Sequence, residues 1–343
     1  MRRALFIGGS VNQTKQVHAV ARELRGWKAT FTPFFGDHAI EVLRHLGLAE
    51  RTICGDKLRK LCLEYLRDHD LDIDMHGERG GYDLVVSCTD LVLPRVARRA
   101  PLVVVQEGIL DPSGIFAAIC RRVDFLPRWL AGTTLTGTSG LFDRFCVASE
   151  GYRQHFIREG ADPARVVVTG IPNFDDCERY RDNDFPLHGY VLVCTSDTRE
   201  TFKRDDRREL VTRALRIAAG RPLVFKLHPN ENAARSTAEI RRWAPNARVY
   251  AHGSAEAMIA NCEVLITQWS STAFVGLALG KELYSNFPTE QLRALSPVQN
   301  GGTSGKRIAA ICRELAGRSR VVPLRRVKGP LHSSPWRSSK GVA

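Results

Sequence analysis

Short runs of consecutive apolar residues alternate with longer amphipathic stretches from one end of this chain to the other. A run rich in Val, Ile and Leu, with no polar position on either side of its pleat, is what a strand buried on both faces requires. In the first half such runs predict strands at 4–7, 83–87, 102–105, 144–148 and 166–169. Between them, 13–24 carries Val17, Val20, Ala21 and Leu24 at helical spacing and Gly26 closes it. Residues 152–159 predict a shorter helix closed by Gly160, and Asp162-Pro163 opens the next turn. Strands alternating with helices imply an α/β class with parallel sheets.

The periodicity breaks over 172–189, where Pro172, Pro186 and a cluster of charges mark a linker. A second series follows, with strands at 190–195, 223–227, 247–250, 264–267 and 282–285 and helices at 207–219, 233–243 and 272–279. The expected organisation is two Rossmann-like domains facing each other across a cleft: 1–171, then the linker 172–189, then 190–317. From 318 to 343 the chain is rich in Arg, Lys, Ser and Pro and reads as a basic disordered tail.

Two strands of the second series stop abruptly in polar residues. Residues 223–227 run into His228-Pro229-Asn230, and 264–267 run into Gln268-Trp269-Ser270-Ser271-Thr272. In an open parallel sheet the carboxyl ends of the strands form the ligand crevice, so both tips are expected on one rim, on adjacent strand ends, holding a phosphate. Arg199 and Lys226 would add positive charge, although Lys226 lies in a strand and can point away. Each element also has a purely structural reading: His-Pro is a rigid turn, and Ser270, Ser271 and Thr272 can cap a helix without any ligand. Gly8, Gly9 and Ser10 form a first glycine loop that falls short of a full G-x-G-x-x-G, so a tight strand-to-helix turn is their reading. Asp72-Ile73-Asp74 resembles a D-x-D metal element but follows no strand, and the nearby Asp and His residues have no ligand spacing; no metal and no cofactor are expected. Arg121, Arg122, Trp129 and the stretch 131–140 read either as an acceptor loop or as plain surface.

Composition narrows the partners. The chain has 343 residues, more than a single core of ordinary size accommodates. Its 50 Lys and Arg against 37 Asp and Glu leave a formal charge of +13, which favours an anionic partner: nucleotide, acidic glycan, phospholipid surface or nucleic acid. No aromatic-rich RNA motif or metal finger supports specific nucleic-acid binding. The nine cysteines are scattered without a C-x-x-C pair and read as reduced, mostly buried thiols of a cytoplasmic protein. The apolar run at the N-terminus is too short for a signal peptide, and no apolar stretch approaches the roughly 20 residues that span a bilayer.

The segment 142–171, "FDRFCVASEGYRQHFIREGADPARVVVTGI", resembles the end of the N-terminal domain in two-domain GT-B sugar-nucleotide enzymes, especially the UDP-N-acetylglucosamine 2-epimerase group. Bacterial sialyltransferases and related capsule transferases with cytidine-linked donors share an acidic-acidic-Gly element, a His-Pro element and a Ser-Ser element. Here Gln106-Glu107-Gly108, His228-Pro229 and Ser270-Ser271 stand in that order at strand ends, with Glu107 as the only carboxylate of the first element. The epimerase group instead has Arg-Pro-Glu after its first glycine loop, His-Arg-x-Glu-Asn after the first C-terminal strand, and Ser-Gly-Gly followed by paired glutamates. This chain has Gly8-Gly9-Ser10-Val11-Asn12, Ser196-Asp197-Thr198-Arg199-Glu200-Thr201 and Ser270-Ser271-Thr272-Ala273-Phe274 at those places, without the His or the glutamates.

The resemblance implies a cytoplasmic GT-B glycosyltransferase that moves a sugar or polyol phosphate from a CMP- or CDP-linked donor to a surface polysaccharide or glycolipid. Glu107 would be the base that takes the proton of the acceptor hydroxyl. His228, Pro229, Asn230, Gln268, Ser270, Ser271 and Thr272, with Arg199 and Lys226, would hold the nucleotide phosphate, His228 counting among the catalytic residues. Its partners would be the nucleotide-sugar donor and a glycan or lipid-linked acceptor, with peripheral contact to the inner membrane surface through the basic face. The alternative is a UDP-sugar 2-epimerase or hydrolase on the same fold. A second alternative is a non-catalytic protein that binds a nucleotide or polyanion.

Overall fold

The computed structural model describes residues 1–33, 56–109, 136–196 and 206–317. Arg199, most of the 121–140 segment and the tail 318–343 lie outside the described residues. The chain divides into two compact units, Met1–Asp175 together with the chain from Asn300 onward, and Asp176–Gln299.

In the first unit the elements run β1 (Arg3–Ile7), α1 (Val11–Glu23), β2 (Lys28–Thr32), α2 (Asp56–Asp68), β3 (Leu84–Ser87), β4 (Leu102–Val105), β5 (Arg144–Val147), α3 (Glu150–Arg158) and β6 (Val166–Val168). Six strands form one parallel sheet in the order β2-β1-β3-β4-β5-β6. Ala4 to Ile7, Leu84 to Val86 and Leu102 to Val105 are buried throughout, as strands covered on both faces must be. The strand β2 has no counterpart among the sequence expectations because its sequence, Lys-Ala-Thr-Phe-Thr, is not an apolar run. Its threonines are buried all the same, since Thr30 donates to Asp72 Oδ2 (3.1 Å) and Thr32 to the Met75 carbonyl (3.0 Å).

The second unit contains β7 (Val191–Cys194), α4 (Arg207–Ala218), β8 (Leu223–Lys226), α5 (Ala233–Trp243), β9 (Arg248–Tyr250), α6 (Ala255–Asn261), β10 (Val264–Thr267), α7 (Thr272–Ala278), β11 (Glu282–Tyr284) and α8 (Thr289–Leu295). Its parallel sheet has the order β11-β10-β7-β8-β9. Val191, Val193, Phe225, Val264 and Ile266 pack under Leu210, Val211, Ala214 and Ile240 of α4 and α5 in one apolar core. Local chemistry sets where helices begin. The helices α1, α3, α4, α5 and α6 each start after a Ser, Asp or Asn whose side chain accepts a backbone N–H three residues on.

The boundaries differ from the sequence expectation at two places. Residues 176–189, expected as linker, belong to the second unit, where Asn183 and Asn261 exchange amide hydrogen bonds (3.0 and 3.1 Å) and Asn261 also donates to the Phe185 carbonyl. A polar segment without periodicity is thus tied down by side chains rather than by a ladder. The helix α9 (Ser304–Ala316), expected at the end of the second domain, packs against α1 of the first unit instead. Asp175 holds the returning chain: its carbonyl accepts from Asn300 N (2.8 Å), its carboxylate accepts from Ser304 N (2.8 Å), and Ser304 Oγ donates to the Thr169 carbonyl (3.2 Å). At Gly305 the two helices meet backbone to side, with the Ala19 carbonyl oxygen only 3.1 Å from where a Cβ would stand.

That approach makes Gly305 a test of the placement of α9. Gly305→Val drives methyl groups into the Ala19 backbone and is expected to destabilise the protein by about 1–3 kcal/mol, the usual cost of overpacking. Urea denaturation measures the loss, and hydrogen exchange is expected to show faster opening of α1. Unchanged exchange in α1 would contradict this packing.

Candidate functional site

The first unit changes direction between β1 and β3, since the chain goes from β1 outward to β2 and then returns to the other side. This is the switch point at which an open parallel sheet leaves a crevice beyond its carboxyl ends. Gly8 follows β1 there, and a Cβ at this position would collide with the Thr14 hydroxyl, so the glycine is required by the closeness of α1. Ser10 caps α1 by accepting from Gln13 N (3.2 Å), and its hydroxyl donates to Glu107 Oε1 (3.2 Å). The amide of Gln13 donates to Glu107 Oε2 at 2.6 Å. Glu107 leaves β4 and reaches past the β3 tip to the amino end of α1, where helix polarity favours a negative charge. The glycine loop is therefore structural at Gly8 and a carboxylate partner at Ser10.

Gln106 accounts for the departure from an acidic pair. It is buried, its Nε2 donates to the Gly108 carbonyl (2.8 Å), its Oε1 accepts from Ala148 N (2.9 Å), and its carbonyl accepts from Gln16 Nε2 (2.7 Å). A carboxylate at 106 would have no donor for Gly108 and would be a charge without a counter-ion. Asp72 and Asp74, set aside as metal ligands, are likewise committed: Arg79 pairs with Asp72 at 2.6 Å, while Tyr82 Oη (2.7 Å) and two backbone N–H groups donate to Asp74.

The second unit has its switch point between β7 and β10. The His228 turn follows β8, and Gln268 to Thr272 follow β10, so both lie on the carboxyl rim of one parallel sheet. They are not on adjacent strands, as the sequence reading expected. The strand β7 stands between them, because the first strand of the unit sends crossovers to both sides. His228 to Glu231 form a turn closed by Glu231 N to the His228 carbonyl (3.0 Å), with Pro229 presetting the corner. Asn230 N donates to His228 Nδ1 (3.2 Å). Because an N–H can only meet a lone pair, the neutral ring carries its proton on Nε2, which makes that atom a donor.

A buried polar cluster fixes this turn, and sequence reasoning did not assign it a part. Glu231 Oε1 accepts from His228 N (3.1 Å) and from the Thr195 hydroxyl, while Oε2 accepts from Arg207 Nη2 (2.8 Å) and Ser236 Oγ (2.8 Å). The side chains of Arg207 and Glu231 are each 1% exposed. The only sequence signal is a Glu three residues after His228, with no trace of Arg207 or Thr195 as its partners.

Lys226 does not serve the rim as expected. Its ammonium is buried and donates to the Leu227 carbonyl (2.8 Å) and the Ala251 carbonyl (3.4 Å), and burial lowers its pKa. On the β10 tip, Ser270 Oγ accepts from Thr272 N (3.3 Å) and from Thr272 Oγ1 (2.9 Å), which is the capping role anticipated as the structural alternative. Ser271, at the cap position itself, makes no side-chain capping bond. Gln268 is buried, and Trp269 is held edge-on by Phe287 with ring centroids 4.6 Å apart. Pro229 and Asn230 stay with the His228 turn.

No protein-family model matches the chain, and no curated protein sequence matches it. Solved structures do. UDP-GlcNAc 2-epimerase from Neisseria meningitidis, bound to UDP-GlcNAc, superposes with a TM-score of 0.57 at 12% identity, over 92% of this chain and 100% of that one. The Methanocaldococcus jannaschii UDP-GlcNAc 2-epimerase in complex with UDP-GlcNAc and UDP gives 0.55 at 13% identity, with the same coverage of 92% and 100%. UDP-N-acetylglucosamine 2-epimerase from Rickettsia bellii gives 0.54 at 13% identity, over 92% and 97%. Two parallel sheets with alternating helices, matched to these proteins over nearly the full length of both chains, give this protein the α/β, two-domain Rossmann-like fold of the GT-B type.

The Glu231 cluster is the part of the site that stability measurements reach. Glu231→Ala leaves the Arg207 guanidinium buried without its carboxylate and is expected to cost about 3–5 kcal/mol, the range for breaking a buried pair from one side. His228→Ala, at a half-buried turn, is expected to leave the midpoint of urea denaturation near that of the wild type. Equal losses from the two substitutions would contradict the division between supporting cluster and presented ring.

Proposed function

We propose that this protein is an enzyme that binds a UDP-linked sugar through its second unit and acts at the sugar, as an epimerase or hydrolase of a nucleoside diphosphate sugar. The observation that carries the reading is the fold: structures described with UDP-GlcNAc or UDP bound match it over nearly their whole length. The rim of the second unit suits the nucleotide phosphate, since the groups it offers, the His228 Nε2 side and the hydroxyls of Ser270, Ser271 and Thr272, supply hydrogen-bond donors. Cleavage of a sugar–phosphate bond leaves charge on the departing oxygen, and fixed donors stabilise that charge without reorganising. Glu107 is the proton acceptor in this reading, its carboxylate held by the neutral donors Ser10 and Gln13. The Arg-Pro-Glu, the His of His-Arg-x-Glu-Asn and the paired glutamates of the epimerase group have no equivalents here, so the roles rest on this chain's own residues.

A second reading is transfer from a CMP- or CDP-linked donor to a glycan or lipid-linked acceptor, with the basic chain at the inner membrane surface. The position of Glu107 directly after β4, followed by His-Pro and Ser-Ser at the tips of β8 and β10, favours it. A cytoplasmic setting belongs to both readings and fits the described cysteines, which are all buried.

Thermal shift with UDP, UDP-GlcNAc, CMP, CDP and GDP separates them. UDP or UDP-GlcNAc is expected to give the largest shift, and a ligand at 100 times its Kd stabilises by about 2.7 kcal/mol. Incubation with UDP-GlcNAc and no acceptor, followed by NMR, is expected to yield the 2-epimer or the free sugar. A preference for CMP or CDP with no turnover in the absence of acceptor would replace this reading by the second. No shift with any nucleotide would end both.

Two substitutions follow from the assigned roles. His228→Ala removes a hydrogen bond to a charged group and is expected to weaken UDP binding by about 1.5–3 kcal/mol, measured by calorimetry. Glu107→Gln is expected to leave UDP affinity intact while lowering turnover roughly 10²–10⁴-fold, the range for loss of a general base. Wild-type turnover in that variant would remove Glu107 from the chemistry.

A further inference from the structure

The topology of the second unit sorts its helices by face. Right-handed crossovers carry the chain from β7 to β8 to β9 in one direction and back across to β10 and β11 in the other, so α4 and α5 cover one face of the sheet and α6 and α7 the opposite one. Charge follows the same division. The helices α4 and α5 carry seven arginines, and α6 and α7 carry none. Arg207 turns inward to Glu231, while Arg208, Arg213, Arg216, Arg235, Arg241 and Arg242 are exposed or half-exposed, against two glutamates, Glu209 and Glu239. Among the described residues Arg208, Arg216, Arg241 and Arg242 form no ion pair. The stretch 197–205 that leads into α4 lies outside the described residues and is neutral in sum, with three Arg and Lys against three Asp and Glu.

Helical spacing spreads these arginines over one outward surface. Leu210, Val211, Ala214 and Ile240 face the sheet, so the opposite line of α4 carries Arg208 and, two turns on, Leu215 with Arg216 beside it. On α5 the outward line carries Ala234, Ala238 and Arg241, flanked by Arg235 and Arg242. Leu215 is 43% exposed, the one large apolar side chain of the second unit that is exposed among the described residues. Arginines alone attract any polyanion. An apolar side chain among them distinguishes the partner, because a phosphodiester chain has no use for it, whereas a lipid surface takes the leucine between its headgroups and leaves the guanidinium groups at the level of the phosphates. We infer that the α4–α5 face of the second unit docks on an anionic phospholipid surface. These helices flank the sheet and the His228 and Ser270 tips end it, so this surface is not the one proposed for the nucleotide. The inference goes beyond the nucleotide reading and gives a place to the membrane contact that the second reading includes.

The test is sedimentation of the full chain with vesicles of phosphatidylcholine alone or with about one third phosphatidylglycerol, at low and at high salt. The wild type is expected to bind the anionic vesicles, to leave them as salt screens the charges, and not to bind phosphatidylcholine alone. Arg208→Gln, Arg216→Gln, Arg241→Gln and Arg242→Gln combined are expected to weaken that binding roughly 100- to 1,000-fold, since each arginine at an anionic surface contributes about a five-fold factor. Arg25→Gln, Lys60→Gln, Arg67→Gln and Arg95→Gln combined remove the same charge from the first unit and are expected to leave it within a few-fold of the wild type. Leu215→Ser is expected to weaken vesicle binding while keeping the wild-type salt dependence. A wild type that ignores anionic vesicles, equal losses in the two combined variants, Leu215→Ser binding as tightly as the wild type, or tighter binding to duplex DNA than to vesicles would each overturn the inference. None of these outcomes touches the nucleotide reading, which the thermal shift with UDP tests separately.

Discussion

Parallel pairing of strands is the constraint on which the rest of this protein depends. A parallel ladder cannot close with a hairpin, so each strand is followed by a crossover that lays a helix or loop on the sheet. Both faces of the sheets are thereby covered, which is why Val191 to Val193, Val264 to Ile266 and Val103 to Val105 are buried with no polar position between them. The same constraint puts every carboxyl end on one rim of its sheet. Once the first strand of each unit sends crossovers to both sides, β1 against β3 and β7 against β10, each rim contains one place where neighbouring connections diverge. Glu107, Ser10 and Gln13 gather at the first such place, Ser196 and the tips of β8 and β10 around the second.

What these rims present depends on buried polar chemistry behind them. Glu231 is buried, and through four donors it ties together the end of β7, the His228 turn, α4 and α5. A pair such as Arg207 and Glu231 adds little net stability over a well-packed apolar substitute, but its geometry is demanding and its loss from one side is costly. Here the demand falls on the backbone of His228, which fixes the turn that presents the ring. Gln106 plays a comparable part in the first unit, linking the ends of β4 and β5 and leaving Glu107 as the carboxylate.

Fold and sequence motif part company in this protein. The GT-B architecture, shared with proteins described as UDP-GlcNAc 2-epimerases, persists at 11–13% identity because layered packing needs only apolar residues at the right period. The motifs of that group are changed at the very strand ends where chemistry would be placed. What the rims carry is a clamped carboxylate, an imidazole of fixed tautomer and the linked hydroxyls of Ser270 and Thr272.

Much of the fold was legible in the chain itself. Short apolar runs bounded by turn residues located β1 and the strands from β3 to β11, because burial on both faces calls for consecutive apolar positions. The same runs marked where polar residues begin, and so brought out Glu107, His228 and Ser270 to Thr272. The strand β2 was not legible, because its buried threonines are satisfied by Asp72 and Met75, far along the chain. Nor was the return of α9 to α1, which rests on Asp175 and on the absence of a Cβ at Gly305. The sequence leaves Lys226 either adding charge at the rim or pointing away, and the Leu227 and Ala251 carbonyls hold it away. Periodicity reports that a side chain is buried; only the tertiary structure decides which polar atom, from which distant element, waits there to meet it.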